Sequence, residues 1–214
     1  PHTISNVSSA SNSYTIGVSP YAAPGYSWQF GEGHLNYPEN TSGFFMPNNS
    51  RFAFGTGDFT IEYWCWNDES AGGSMMPFDF RGAGGLECHN LCADMFSAGT
   101  WYIRLGTGNL FNTSSTWRHP RYEWVHYAFV RASGTTKMYG NGTEVASASD
   151  TSTYTSTGSG TDSFAVIGRG YKGFSGSNEG RWKGYISDFR VVKGTAVYTA
   201  NFTPPTEPLT AISG

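Results

Sequence analysis

Apolar and polar positions alternate at period two along several short stretches of the chain, the spacing of a strand that turns one face to a core. The clearest stretch is Phe59-Thr60-Ile61-Glu62-Tyr63-Trp64-Cys65. It puts Phe59, Ile61, Tyr63 and Cys65 on one face and Thr60, Glu62, Trp64 and Trp66 on the other. Earlier, Tyr26, Trp28 and Phe30 alternate in the same way, and His34 to Tyr37 forms a short run that ends at Pro38. The segment Trp124 to Arg131 is largely apolar on both faces, which predicts a central strand. After it, Lys137 to Gly140 and Thr143 to Ala146 flank Asn141-Gly142, a pair that tolerates the positive φ angles of a two-residue hairpin turn. A polar Ser/Thr/Gly tract from Ser147 to Asp162 predicts a long surface loop. Phe164 to Gly168 resumes the sheet, and Trp182 to Val192 supplies a last long strand. No window shows a sustained 3.6-residue repeat, although Glu87 to Phe96 is read as holding a short helical turn. About ten or more short strands separated by turns predict an all-β sandwich.

Composition sharpens this reading. The 214 residues fit one large all-β domain, and at that length a core forms without staples. Charged residues make up only 14%, aromatics reach 16%, and the helix formers that coat wet helical faces are scarce. The expected organisation is an N-terminal arm or docking segment (1–20), a sandwich (21–208) and a C-terminal tail (209–214). With 13 Lys plus Arg, a net charge of -3 and no basic run, the electrostatic footprint of a nucleic-acid binder is missing. No apolar stretch is long enough to span a bilayer. Three cysteines, Cys65, Cys88 and Cys92, cannot all pair in one chain, which points to synthesis in a reducing compartment. Pro1 fits a start from which Met has been removed, and fits a trimmed fragment equally well.

Four segments carry a resemblance: GTGDFTIEYW (55–64), WVHYAFVR (124–131), KMYGNGTEVAS (137–147) and GYISDFRVVKGTAVYTANFTPPTEP (184–208). In this order they resemble the laminin-G-like jelly-roll domains of the concanavalin A-like superfamily, over roughly Tyr26 to Pro208. The resemblance implies a sandwich of two antiparallel sheets. The last segment is similar to virion proteins and appendages of bacteriophages, marine and cyanophage-like ones in particular. On this reading Asp58 bonds amides of its own turn, Pro204 and Pro205 end the sheet, and the residues after them run over the surface.

Because the superfamily includes glycanases, catalysis needs its own test. Retaining hydrolysis uses two carboxyl groups roughly 5 Å apart, one of them raised in pKa to serve as acid. Here the matching strand carries Glu62 alone, so the chain is read as a non-enzyme. Cys88-His89-x-x-Cys92, with Cys65 as a fourth ligand, offers a metal site, but paired Cys-x-x-Cys knuckles are missing and buried thiols are the plainer reading. Calcium, which several laminin-G-like and lectin domains bind, would call on Asp68, Glu69, Asp79 and Asp94; no Asp-x-Asp spacing groups them, and no cofactor is assigned. His126 is read as a packing residue without a carboxylate partner, and Asp188 and Arg190 as pairing in the sheet edge or bracing a loop.

Tryptophans carry the remaining chemistry, since flat rings stack on the apolar C–H faces of sugars while polar side chains collect the hydroxyls. Trp28, Trp64, Trp124 and Trp182 lie in strand patterns and are assigned to the core. Trp66, Trp101 and Trp117, with Asn67, Asn112 and Arg121 (and His119 beside them), are the candidate glycan or partner contacts. The function expected first is a structural subunit of a bacteriophage particle, made in the host cytoplasm, decorating the capsid or another particle surface in many copies or as a homo-oligomer. The alternative is a carbohydrate-binding adhesin of a tail fibre or appendage that holds host surface glycan.

Overall fold

The computed structural model describes residues 28–30, 44–47, 50–67, 75–81, 90–96, 99–105, 108–113, 117–155, 164–170, 180 and 182–212. The expected arm (1–20) lies outside them, as do His34 to Tyr37 and the last two residues of the tail. The described residues form twelve strands and a short 3-10 turn at Ser50–Phe52. In chain order they are β1 (Trp28–Phe30), β2 (Phe44–Pro47), β3 (Phe59–Asn67), β4 (Met75–Asp79), β5 (Leu91–Phe96), β6 (Thr100–Leu105), β7 (Gly108–Asn112), β8 (Val125–Ala132), β9 (Thr135–Gly140), β10 (Thr143–Ser149), β11 (Phe164–Ile167) and β12 (Gly184–Lys193).

Two six-stranded antiparallel sheets result, the first in the order β1-β12-β3-β8-β9-β10 and the second in the order β2-β11-β4-β5-β6-β7. This is the expected jelly-roll sandwich. Their facing sides bury Phe59, Ile61, Tyr63 and Cys65 of β3 against Phe78, Leu91, Ala93, Met95 and Trp101 of the second sheet. Tyr63, fully buried, stacks on the partly buried Phe189 at 5.3 Å and 3°, and a fully buried ring such as Tyr63 is worth roughly 1.5–3 kcal/mol over leaving it in water. Asn141 (φ 47°) and Gly142 (φ 76°) make the positive-φ turn predicted between β9 and β10.

Several expectations are corrected. Of the stretch read as a helical turn, Glu87 to His89 lie outside the described residues, and Leu91–Phe96 is a strand: Leu91, Ala93 and Met95 alternate into the core, and pairing with β6 outweighs any local helical preference. The tract after β10 begins as an anchored segment, because Asp150 and Tyr154 are buried and Tyr154 bridges to Gly55. Asp58 accepts the amide of Ser133, 75 residues away, and so braces the β8–β9 turn rather than its own. The sheet ends at Lys193, eleven residues before Pro204. From Gly194 onward the chain crosses the outer face of the first sheet as a strap, with Ala196, Tyr198 and Phe202 packed on Ala128, Val130 and Tyr139.

The strap is held where side chains and backbone interlock. Thr60 Oγ1 donates to Thr195 O at 3.0 Å and accepts from Val197 N at 2.9 Å. Phe202 N donates to Gly142 O, and a Cβ on Gly142 would lie only 1.9 Å from Phe202 O, so this approach needs glycine. Arg190 donates to Thr210 O, which brings the end of the described chain back to β12.

Candidate functional site

The outward positions of β3 lead from the strap to open solvent. Under the strap sits Glu62, its side chain fully buried. A bulge in β12 brings Arg190 opposite it: between Ser187 and Arg190 the register slips, Asp188 takes φ 51°, Phe189 turns into the core and Arg190 turns out. Arg190 then donates to Glu62 Oε1 at 2.5 and 2.8 Å, Tyr198 of the strap donates to Oε2 at 2.9 Å, and His126 Nε2 lies 3.2 Å from Oε2. His126 therefore has the carboxylate neighbour that its sequence context does not reveal. Burial works to raise the Glu62 pKa, but the His126, Arg190 and Tyr198 contacts outweigh it and hold the group below the ordinary carboxylate value. That is opposite to the shift a general acid needs, and the charge is satisfied on every side rather than aimed at a substrate.

Four residues further along β3, past the strap, the same face ends in aromatic rings. Trp66 is half-buried and pairs in register with Tyr185 of β12, their rings 5.5 Å apart. Trp124 precedes β8 and faces outward because the next residue, Val125, is in the core; its ring lies 6.4 Å from that of Tyr185. On the other side of Trp66 stands Tyr122, 5.9 Å away and 62% exposed. Tyr122 has φ 62°, a conformation costing a non-glycine residue of order 1–3 kcal/mol unless its surroundings enforce it. Here its amide donates to Asn67 O at 3.0 Å, and Asn67 Nδ2 donates to Lys183 O at 3.1 Å. Asn67, 1% exposed, thus ties the end of β3 to both neighbouring segments and fixes the ring of Tyr122 in solvent.

The structure divides the six predicted contact residues. Trp66 stands in this aromatic corner, Arg121 is exposed on the residue before Tyr122, and Asn67 serves as the buried clamp. Trp101 is a correction: it is fully buried in β6, stacked on Trp182 at 6.1 Å and 15°, and cannot meet a ligand. Trp117 is half-buried; its Nε1 donates to Tyr127 Oη at 3.0 Å, and its ring closes on Gly140, where a Cβ would lie 2.9 Å away. His119 is buried with it, Nδ1 2.9 Å from Tyr127 Oη, and burial depresses its pKa to about 3. Asn112 is exposed on β7 of the second sheet, away from the corner. Trp124 is a correction: assigned to the core from its strand pattern, it is half-buried on the outer face, next to the inward Val125. Tyr122 and Tyr185 are corner residues that sequence reasoning passed over. The signal available for them was weak: Tyr185 sits one position from an inward Ile186, and nothing local announces the conformation of Tyr122.

Among the described residues, no three His, Cys, Asp or Glu side chains come together as a metal site. Cys65 lies in the inter-sheet core, whereas Cys92 alternates with inward Leu91 and Ala93 and so faces the outside of the second sheet; the two cannot share an ion. Cys88, His89, Asp68 and Glu69 lie outside the described residues. Asp79 is held by Arg81 at 2.8 and 2.9 Å, which does not suit it to calcium.

Comparison with known proteins places this geometry. A laminin-G family model, described as the concanavalin A-like lectin/glucanases superfamily, matches residues 38–197. Among solved structures, domain 4 of an extracellular arabinanase from Geobacillus stearothermophilus, in complex with arabinotriose, superposes with a TM-score of 0.57 at 17% identity, covering 91% of this chain and 80% of that one. The heptameric SAP-like pentraxin of Limulus polyphemus gives 0.51 at 16% identity over 82% and 77%. The CBM40 of the Ruminococcus gnavus IT-sialidase, bound to alpha2,3 sialyllactose, gives 0.50 at 13% over 68% and 80%. At such identities the likeness is one of fold. No curated protein sequence matches the chain.

Proposed function

The chain belongs to the concanavalin A-like lectin/glucanases superfamily, and from that premise we propose that it is a non-catalytic recognition module of a bacteriophage particle that holds host surface glycan at the Trp66–Tyr122 corner. The observation that carries this is Tyr122, a large ring kept 62% exposed at the expense of a positive φ. The bond from its amide to Asn67 O accounts for the backbone conformation, while the ring itself stands in solvent beside Trp66, where it is available to stack on something outside. Glu62, the acid of the candidate strand, is buried and paired, which supports recognition without cleavage. The virion setting is supported by the resemblance of the C-terminal segment to phage particle proteins. Single sugar sites are often near millimolar, about 4 kcal/mol, so many copies on a particle would supply the firmness of attachment.

Adsorption of the labelled chain to host cells and to their isolated surface polysaccharide tests the reading. Trp66→Ala and Tyr122→Ala are each expected to weaken adsorption by about tenfold, a loss of 1.4 kcal/mol of stacking, with the melting transition kept. Adsorption that both variants leave untouched would refute it.

A second reading, capsid decoration, draws on the same rings, because an exposed aromatic cluster also suits a subunit contact. Cryo-electron microscopy of intact particles separates the two: the corner is buried against a neighbour in a decoration protein and faces outward in an adhesin.

A further inference from the structure

We infer that the aromatic corner holds one sugar residue at a time, laid with a C–H face on Tyr122 in the angle this ring makes with Trp66; the inference rests on the glycan reading above. The shape of the cluster sets the size of the ligand. Tyr122 and Trp124 are two residues apart in the chain, and their rings are linked through those of Trp66 and Tyr185, with neighbouring centroids 5.9, 5.5 and 6.4 Å apart. The four rings therefore close into a compact patch and do not line a groove. Neighbouring planes meet at 63°, 63° and 46°, so the rings pack against one another edge to face or tilted. An aromatic face that a neighbour's edge covers is lost to a sugar. Trp66, Tyr185 and Trp124 are accordingly half-buried, and of the four only Tyr122, 62% exposed, turns most of its ring to solvent. A phenol ring and a pyranose ring are of similar width, so one open ring takes one sugar.

So small a platform has to be in place before the ligand arrives, because every side chain ordered on binding subtracts from the affinity. Tyr122 is held on two sides. Its amide donates to Asn67 O at 3.0 Å, and its ring rests against that of Trp66. The 63° between the two planes gives a sugar a floor in Tyr122 and a wall in Trp66. The chemical class of the ligand follows from the floor. A pyranose lies flat on a ring only through a face that carries C–H groups, since a hydroxyl pointing at the ring would hold the sugar off and lose its own water. The sugar selected is thus a pyranose with one face free of axial hydroxyls, whatever the rest of the glycan.

The test is displacement of the labelled chain from host cells by fragments of the host surface polysaccharide, from the component sugars as methyl glycosides up to four linked residues. Saturation-transfer NMR on the same fragments shows which sugar protons touch the protein. One of the methyl glycosides is expected to displace the chain at a concentration within about threefold of the four-residue fragment, with the NMR contact confined to one face of one residue. Tyr122→Phe, which keeps the ring, is expected to leave displacement unchanged, and its melting curve checks that it folds. A gain from length beyond about threefold, contact spread over several residues, or loss of binding in Tyr122→Phe overturns this inference and leaves the glycan reading standing. Displacement by no fragment overturns both.

Discussion

The two ends of one strand face have been put to opposite uses. At Glu62 the outer surface of β3 is closed by the strap, and the charge there meets Arg190, Tyr198 and His126. At Trp66, four residues on, the strap is gone and the rings reach solvent beside Tyr122. The first end is polar and sealed; the second is aromatic and open. Ordinary folding would arrange them the other way round, since burying a charge costs several kcal/mol and exposing aromatics forfeits burial. The inversion teaches that the acid belongs to the architecture and the rings to the outside world.

Breaking the sealed end should produce the largest effect on stability. Glu62→Ala leaves Arg190 and His126 without their carboxylate under the strap and is expected to cost about 3–5 kcal/mol, read from the midpoint of urea unfolding. If this variant unfolds like the parent, the cluster is not an anchor. Next comes acid. The folded pKa of His119, about 3, lies below its ordinary 6.5, so the unfolded chain binds the proton and the folded chain does not. Stability should therefore fall by a few kcal/mol as pH drops from about 6.5 toward 3. Glu62, whose folded pKa lies below 4.5, holds its contribution above that value and loses it only at more acid pH. His119→Phe should flatten the limb between 6.5 and 4.5, and thermal melts across that range check it.

Smaller effects sharpen the contrast. Gly142→Ala drives a Cβ into Phe202 O and is expected to cost roughly 1–3 kcal/mol, with faster amide exchange confined to the strap and the β9–β10 turn. Smallest of all, Tyr122→Gly removes the strained φ and the ring together; stability should hold or rise by about 1 kcal/mol while adsorption falls. A variant at the open end that unfolds the protein would erase the distinction between the two ends.

The sequence makes the sandwich legible because period-two alternation is a local signal. Phe59 to Cys65 faces inward as its pattern predicts, and Asn141-Gly142 turns as its chemistry requires. What stays hidden depends on pairing across the chain. Arg190 meets Glu62 from 128 residues away, and only after the bulge at Asp188 has shifted the phase of β12. Trp101 is set apart as a candidate contact because no strand is read around it, yet β6 pairs on both sides and draws the ring into the core. Trp66 and Arg121 are identifiable as candidates; Tyr122 is not, since its exposure is set by a hydrogen bond to Asn67 from a different strand.

The position of β12 has a consequence in time. It lies between β1 and β3 in the first sheet, though it is the last strand of the chain to be synthesised. While a ribosome is still making residues 184–193, β3 has one edge without a partner and Glu62 has neither Arg190 nor Tyr198 to neutralise it. The strap follows later still, with Val197 meeting Thr60 across 137 residues. Closing loops of that length is slow, and an open strand edge is a template for wrong pairing. The nascent chain must therefore stay soluble with its central seam unclosed, and the buried charge at Glu62 becomes a gatekeeper: an unpaired carboxylate on an open edge discourages neighbouring chains from completing the sheet first.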